Sequence, residues 1–212
     1  MKKQFSTLVI LGCLSLLFTS CSSFSDKMHG AAVNAPIEPL ACIVVLPAST
    51  SVGKSDTIKF SDASALEKGA ALATSVMARE LAGNPKVRVL TANQMSSLVP
   101  EVSGGIPGTV AALGKKLNCD GVLTTTVGRF KQREGGEYST DSPASTNFKM
   151  VLRRASTGGV LWSADFKETQ ESLLSNVFSF DKAKGRGFKW ISVEELLEQG
   201  VKERLAACPY LN

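Results

Sequence analysis

One short segment constrains the fold more than any other, the apolar run CIVVLP at residues 42–47. The run is continuous rather than alternating, is rich in β-branched residues and ends at a proline. Such a run is typical of a strand buried on both faces, which requires helices on each side of a sheet. It therefore predicts a central strand in an α/β domain.

Two long segments have the spacing of amphipathic helices, with apolar residues three or four positions apart. The first runs from about Ala63 to Ala82, where Gly83-Asn84-Pro85 ends it. The second begins at the capping-box pattern Ser192-x-x-Glu195 and ends near Cys208-Pro209. We expect the buried residues to be Leu66, Ala70, Ala73, Met77 and Leu81 in the first helix, and Val193, Leu196, Leu197, Gly200, Val201 and Leu205 in the second.

Two shorter helices are predicted between the long ones. The first opens at another capping-box pattern, Thr91-x-x-Gln94. The second runs from Thr109 to Leu117, and Asn118 can close it in a left-handed conformation. Their expected buried residues are Met95, Leu98 and Val99 in the first, and Val110, Leu113 and Leu117 in the second.

Four further segments are predicted to be strands, at residues 87–90, 120–130, 147–154 and 160–167. The last two alternate apolar and polar residues around a Gly-containing turn, which is typical of an antiparallel hairpin with one wet face. The expected apolar face consists of Phe148, Met150, Leu152, Val160, Trp162, Ala164 and Phe166.

The predicted element order is β, α, β, α, α, β, β, β, α. Right-handed crossovers make the first three strands parallel, and short turns make the last three an antiparallel meander. The sequence therefore predicts a single α/β domain at residues 41–212, with a mixed sheet covered by helices.

Three cysteines fall in this domain, Cys42, Cys119 and Cys208. The predicted topology places all three near one end of the sheet, because the last helix runs back toward the start of the parallel strands. Two alternatives remain open: one disulfide, with its pairing undetermined, or three buried thiols.

The first residues have the organisation of a secretory signal. Lys2 and Lys3 precede an apolar run from Phe5 to Phe18, which is too short to span a bilayer, and Cys21 follows two small residues. This arrangement resembles the processing signal of bacterial lipoproteins, although Phe18 stands where that pattern usually has Leu. The alternative is an ordinary signal cleavage site beside an unmodified cysteine.

The resemblance implies a signal peptide at residues 1–20, lipidation of Cys21 and a flexible tether at residues 21–40. The residue after Cys21 is Ser22 rather than Asp, and by resemblance to the sorting rule of enterobacterial lipoproteins this implies the outer membrane. The net charge is +5 for the whole chain and lacks a dense basic block, so nucleic acid is not an expected partner.

The candidate chemical sites are weak. The only histidine, His29, lies in the predicted tether, which leaves the folded domain without one. Residues 48–55 resemble a phosphate-binding loop, but an extended segment follows where a helix is needed, so we expect a flexible surface loop. We expect no cofactor and no metal.

Two segments are candidate binding surfaces. The loop 131–145 carries Glu134, Glu137 and Asp141, which fit a partner-binding edge better than an acid–base pair. The aromatic residues Phe178, Phe188 and Trp190 are expected either to cover one face of the sheet or to contact a partner or membrane.

The chain also resembles a group of bacterial envelope proteins that contains the TolB amino-terminal domain, CsgG, LpoB and PelC. The resemblance covers about residues 41–210 and depends on IVVLP, a helix ahead of VRVL, LGKKLNCDGVLTTTVGRF and a hairpin closed by TGGVLWSADF. It implies the fold but no catalytic residues.

From these features we expect a non-catalytic binding or assembly accessory of an envelope complex. The alternatives are a periplasmic glycan-acting enzyme and a subunit of a secretion ring. A membrane pore is disfavoured, because the outward face of the hairpin carries Lys149, Arg153, Asp165 and Lys167 where lipid would require an apolar face.

Overall fold

The computed structural model describes residues 37–51, 59–98, 105–136, 140–170 and 190–212. The helices are α1 (Phe60–Glu80), α2 (Ala92–Leu98), α3 (Gly105–Leu117) and α4 (Val193–Ala206). The strands are β1 (Ile43–Val45), β2 (Ser49–Thr50), β3 (Val87–Val89), β4 (Gly121–Lys131), β5 (Glu134–Gly135), β6 (Thr140–Ser142), β7 (Ser145–Arg154) and β8 (Val160–Thr169).

The main sheet has the strand order β3-β1-β4-β7-β8, with β2 paired to β4 beyond the end of β1. Strand β1 pairs in parallel with both β3 and β4. Strands β4, β7 and β8 pair in antiparallel fashion. The predicted single α/β domain with a mixed sheet is therefore confirmed.

Strand β1 is buried on both faces, as its composition predicts. Ile43 and Val45 pack into a cluster with α1 and α4 on one face of the sheet. Val44 packs on the other face in a cluster with residues of α3, including Val110 and Leu113. Helices α1 and α4 thus cover one face, and the smaller layer of α2 and α3 covers part of the other.

The two long helices use the buried residues that their spacing predicts. All five residues named for α1 and all six named for α4 are buried. Ser192 and Glu195 form the predicted capping box at the start of α4, because each side chain bonds the backbone N–H of the other residue. None of the described helices is long and apolar enough to cross a bilayer.

Three local predictions were wrong. Ser49 and Thr50 pair with Thr126 and Val127 as strand β2, so this part of the predicted flexible loop is ordered by the neighbouring strand. Residues 52–55 of the same predicted loop lie outside the described residues. No residue of α2 is buried, because the helix lies at the rim of its cluster and only half-buries Met95 and Leu98; Val99 lies outside the described residues.

The third correction concerns Val160, which is 55% exposed rather than part of the apolar face. An irregularity in the β7–β8 pairing follows Leu152, so Val160 pairs with Arg153 and Leu161 is passed over. The extra residue shifts the alternation, and Val160 therefore lies on the face opposite Trp162.

The cysteines are divided between the two faces of the sheet. Cys42 and Cys119 form a disulfide and belong to the cluster of α2 and α3. Cys208 is free and buried in the cluster of α1 and α4. The backbone carbonyl of Leu211, three residues after Cys208, accepts a hydrogen bond at 3.0 Å from Nδ2 of Asn84, which lies just before the start of β3. Cys208 is therefore at the same end of the sheet as the disulfide, but on the other face.

Candidate functional site

The candidate site lies at the far end of β4, where a bulge at Gly128 changes the direction of the side chains. Val127 pairs with Phe148, but Arg129, not Gly128, pairs with the next residue, Asn147. Because one residue is extra, Phe130 returns to the same face as Val127. A Cβ at position 128 would overlap Asn147 Oδ1, so a larger residue there would require the side chain of Asn147 to move.

Phe130 fixes the end of β4 against helix α1. Its ring lies over Gly69, where a Cβ would come within 2.8 Å of the ring carbons Cγ and Cδ2. The absence of a side chain at Gly69 therefore allows the strand to continue past the helix, and it places the first turn of α1 beside residues 128–134.

Gln132 fixes the same segment to helix α4. Its Nε2 donates to Glu194 Oε2 at 2.8 Å, and its Oε1 accepts from the backbone N–H of Val193 at 3.1 Å. Val193 is the first residue of α4, so Gln132 satisfies one of the N–H groups that a helix leaves unpaired at its start. The end of β4 is thus held by two helices.

The predicted partner-binding loop 131–145 contains a small two-stranded ribbon, β5 and β6. The Thr140 hydroxyl donates to the carbonyl oxygen of Glu134 at 2.6 Å, and the carbonyl oxygen of Ser142 is a second acceptor at 3.0 Å that shares the same proton. Lys131 Nζ donates to Ser142 Oγ at 3.2 Å. These bonds give the described part of the loop a defined shape.

An open cleft of about 730 Å³ lies between this ribbon, the end of β4 and the first turns of α1. We call it the distal cleft. Three cations, Arg129, Lys131 and Arg133, and two carboxylates, Asp62 and Glu134, lie along it. Its other lining residues are Ala65, Leu66, Gly128, Phe130, Gln132, Ser142, Pro143, Ser145 and Thr169.

The arrangement suits recognition of a polar chain. Arg129, Lys131 and Glu134 are all exposed at the cleft, so their charges are available to a bound molecule. Asp141 is also exposed, on β6, and Glu137 lies outside the described residues. Among the described residues, no group of three or more His, Cys, Asp or Glu side chains is placed to hold a metal ion.

Four of the residues that the sequence proposes as functional lie outside the described part of the chain. These are Cys21, Glu137, Phe178 and Phe188. Trp190 is described and half-buried, and the backbone N–H of the next residue, Ile191, donates to Gln170 Oε1 at 2.9 Å. A contact of these aromatic residues with a partner therefore stays a prediction.

Sequence reasoning missed the residues that shape the cleft, Gly69, Gly128 and Gln132. One signal was available, because a glycine inside the strand-like segment TTTVGRF is typical of a bulge. Gln132 and Gly69 carry no such signal, since their roles depend on helices distant in sequence.

No family model and no curated protein matches this chain. Among solved structures, PelC from Paraburkholderia phytofirmans, described as a dodecamer, is 15% identical with a TM-score of 0.43, over 81% of this chain and 89% of that one. The LpoB carboxy-terminal domain from Escherichia coli is 17% identical with a TM-score of 0.40, over 66% and 90%.

The lipoprotein GNA1162 from Neisseria meningitidis is 17% identical with a TM-score of 0.41, over 68% of this chain and 95% of that one. These likenesses are distant and carry no argument about function.

Proposed function

We propose that this protein is a lipoprotein of the bacterial envelope that binds a partner protein as an accessory or assembly factor and performs no chemistry of its own. In this proposal Cys21 carries the lipid after residues 1–20 are removed, and residues 21–40 form the tether. Residues 41–212 face the periplasm from the outer membrane, and the partner occupies the distal cleft.

The disulfide between Cys42 and Cys119 is the observation that carries the proposal. Disulfides form and persist in the periplasm and are rare in the cytosol, where thiols are kept reduced. The pairing supports export, and it does so independently of the signal at the start of the chain.

The positions of the chain entry and the cleft support a binding role. The chain enters the sheet beside Asp120, whose Oδ2 accepts from the backbone N–H groups of Ala41 and Cys42 at 2.8 and 3.3 Å. The distal cleft lies at the other end of β4, whose 11 residues span about 33 Å. A tether of residues 21–40 adds a reach of up to about 65 Å, so the cleft can be presented to a partner well away from the lipid.

Photocrosslinking in intact cells tests this function. A benzoyl-phenylalanine replaces Glu134 in the distal cleft or, as the control, Lys86, which is exposed at the opposite end of the sheet. We expect an adduct with a second envelope protein from position 134 alone, and we expect Cys21→Ala to remove it by displacing the protein from the membrane.

Equal adducts from both positions, or none, would contradict a binding role for the cleft. Adducts only with a second copy of this chain would replace the accessory role with that of a ring subunit.

A further inference from the structure

A group of cations surrounds Asn147 on the exposed face of the sheet. Asn147 of β7 is the Cα partner of Arg129 on β4 and of Lys167 on β8. Lys149 lies two residues further along β7 and therefore points to the same face. We call these four residues the Asn147 cluster; Arg129 is also a lining residue of the distal cleft.

The spacing of the cluster suits a single anion. Adjacent strands lie about 4.8 Å apart, and residues two apart on a strand are separated by about 6.7 Å. Arg129, Lys149 and Lys167 are exposed, with long side chains that can converge over Asn147. A carboxylate placed there is within reach of all three cations and of the amide of Asn147.

The positive charge of the cluster is only partly balanced. Among the described residues that β4, β7 and β8 direct to this face, Asp165 is the one carboxylate. Its Oδ2 lies 3.5 Å from Lys149 Nζ, and 69% of its side chain is exposed. Within the described ranges, no carboxylate is within ion-pair distance of Arg129 or Lys167.

The shape of this face favours a protein segment over a membrane. Helix α3 stands on the same face of the sheet, above Val44 and Val122, while Arg129 and Lys167 remain exposed. Because a packed helix is about 10 Å in diameter, the helical layer stands above the level of the cluster on one side. A flat bilayer surface would meet that layer before it reached the cluster, whereas an extended chain can lie on the sheet beside it.

We propose that the Asn147 cluster binds a carboxylate side chain of an extended acidic segment of the partner protein, and that this segment continues into the distal cleft. Arg129 and Lys131 lie on one strand two residues apart, a spacing of about 6.7 Å that matches alternate side chains of an extended peptide. The inference rests on the proposed function and names the chemistry of its partner.

Fluorescence anisotropy of the full mature lipoprotein in detergent tests the inference. The probe is a fluorescent peptide of alternating Glu and Thr, and the control peptide has Gln in place of Glu. We expect only the acidic peptide to bind, and we expect Lys149→Gln with Lys167→Gln to weaken binding about fivefold. The matched pair Lys86→Gln with Lys115→Gln, at exposed positions outside the cluster, is expected to leave binding within twofold of wild type.

Asn147→Asp provides a second variant that separates binding from folding. It changes few atoms but places a carboxylate among the three cations, so we expect binding of the acidic peptide to weaken about tenfold with no loss of thermal stability. Asn93→Asp, an equal change of charge on the exposed surface of α2, is the control and is expected to have no effect on binding.

Three results would overturn the inference: no binding of the acidic peptide, equal weakening by the cluster and control variants, or cluster-dependent binding to phosphatidylglycerol vesicles in place of the peptide. These outcomes are independent of the crosslinking result. Peptide binding without a crosslinked partner would contradict the proposed function alone, and a crosslinked partner without peptide binding would contradict the inference alone.

Discussion

The ring of Phe130 lies against Gly69 of helix α1, so close that a Cβ at position 69 would be 2.8 Å from two ring carbons. This hypothetical distance is shorter than a van der Waals contact, so the strand and the helix pack without room for a methyl group at position 69. The same relationship occurs between Gly200 of α4 and Phe166 of β8. Each long helix thus packs on the sheet through a glycine facing a phenylalanine ring.

Gly69→Ala is expected to destabilise the protein by about 1–3 kcal/mol, because the added methyl group meets the ring of Phe130. The same change at an unconstrained helix position normally stabilises by about 0.5–1 kcal/mol, so the sign is diagnostic. Urea unfolding measures the effect. In a Phe130→Ala background, Gly69→Ala should become neutral or stabilising; a destabilisation of unchanged size would show that the ring is not the cause.

Gln132→Ala is expected to lower the free energy of unfolding by about 1–2 kcal/mol, because it leaves the backbone N–H of Val193 without its partner. Glu194→Ala removes only the exposed bond to Gln132 Nε2 and should cost less than half as much. Thermal unfolding followed by circular dichroism compares the two variants. Equal effects would mean that the hydrogen bond from the backbone N–H of Val193 to Gln132 contributes little to stability.

The sequence predicted the helices and the topology because their determinants are local. The capping box of α4 and the apolar spacing of α1 lie within one segment each, and the handedness of crossovers then leaves few arrangements. The strand at Ser49 and the displacement of Val160 could not be placed, because each depends on register with another strand. The glycine inside TTTVGRF indicates a bulge, but the residue opposite Gly128 also depends on that register. The cleft combines α1, β4 and the ribbon, so its shape follows only from their packing.

Removing the disulfide with Cys42→Ser and Cys119→Ser is expected to destabilise the protein by about 4.5 kcal/mol, as chain entropy predicts for cysteines 77 residues apart. Urea unfolding of the variant and of the oxidised wild type measures the difference.

A thiol assay of the native lipoprotein is the control. We expect no rapid reaction when folded, because Cys208 is buried and burial raises the pKa of its thiol, and one reactive thiol in denaturant.

Glu198 provides a test of pH dependence. Its carboxylate bonds Lys202 Nζ at 2.9 Å and Arg79 at 2.6 Å, and the bond from Lys202 is the main reason that its pKa lies below the usual 4.5. A carboxyl whose pKa is lowered by folding stabilises the protein above its usual pKa and loses that contribution as the pH falls through the lowered value.

The small stability advantage of wild type over Glu198→Gln should therefore be constant near neutral pH and disappear in acid below pH 4.5. Thermal unfolding across this range measures it. The advantage should persist in mildly alkaline solution, since the same contact raises the pKa of Lys202 above 10.5. A stability advantage of wild type over Glu198→Gln that grows as the pH falls would contradict a lowered pKa for Glu198.

Mass spectrometry of the amino-terminal peptide, taken from protein purified from its native membrane fraction, tests the proposed function most directly. We expect the chain to begin at Cys21, with the mass of a diacylglyceryl group on the thiol and no trace of residues 1–20. An acyl-free chain in the cytosol, with residues 1–20 still attached and Cys42 and Cys119 reduced, would contradict the account.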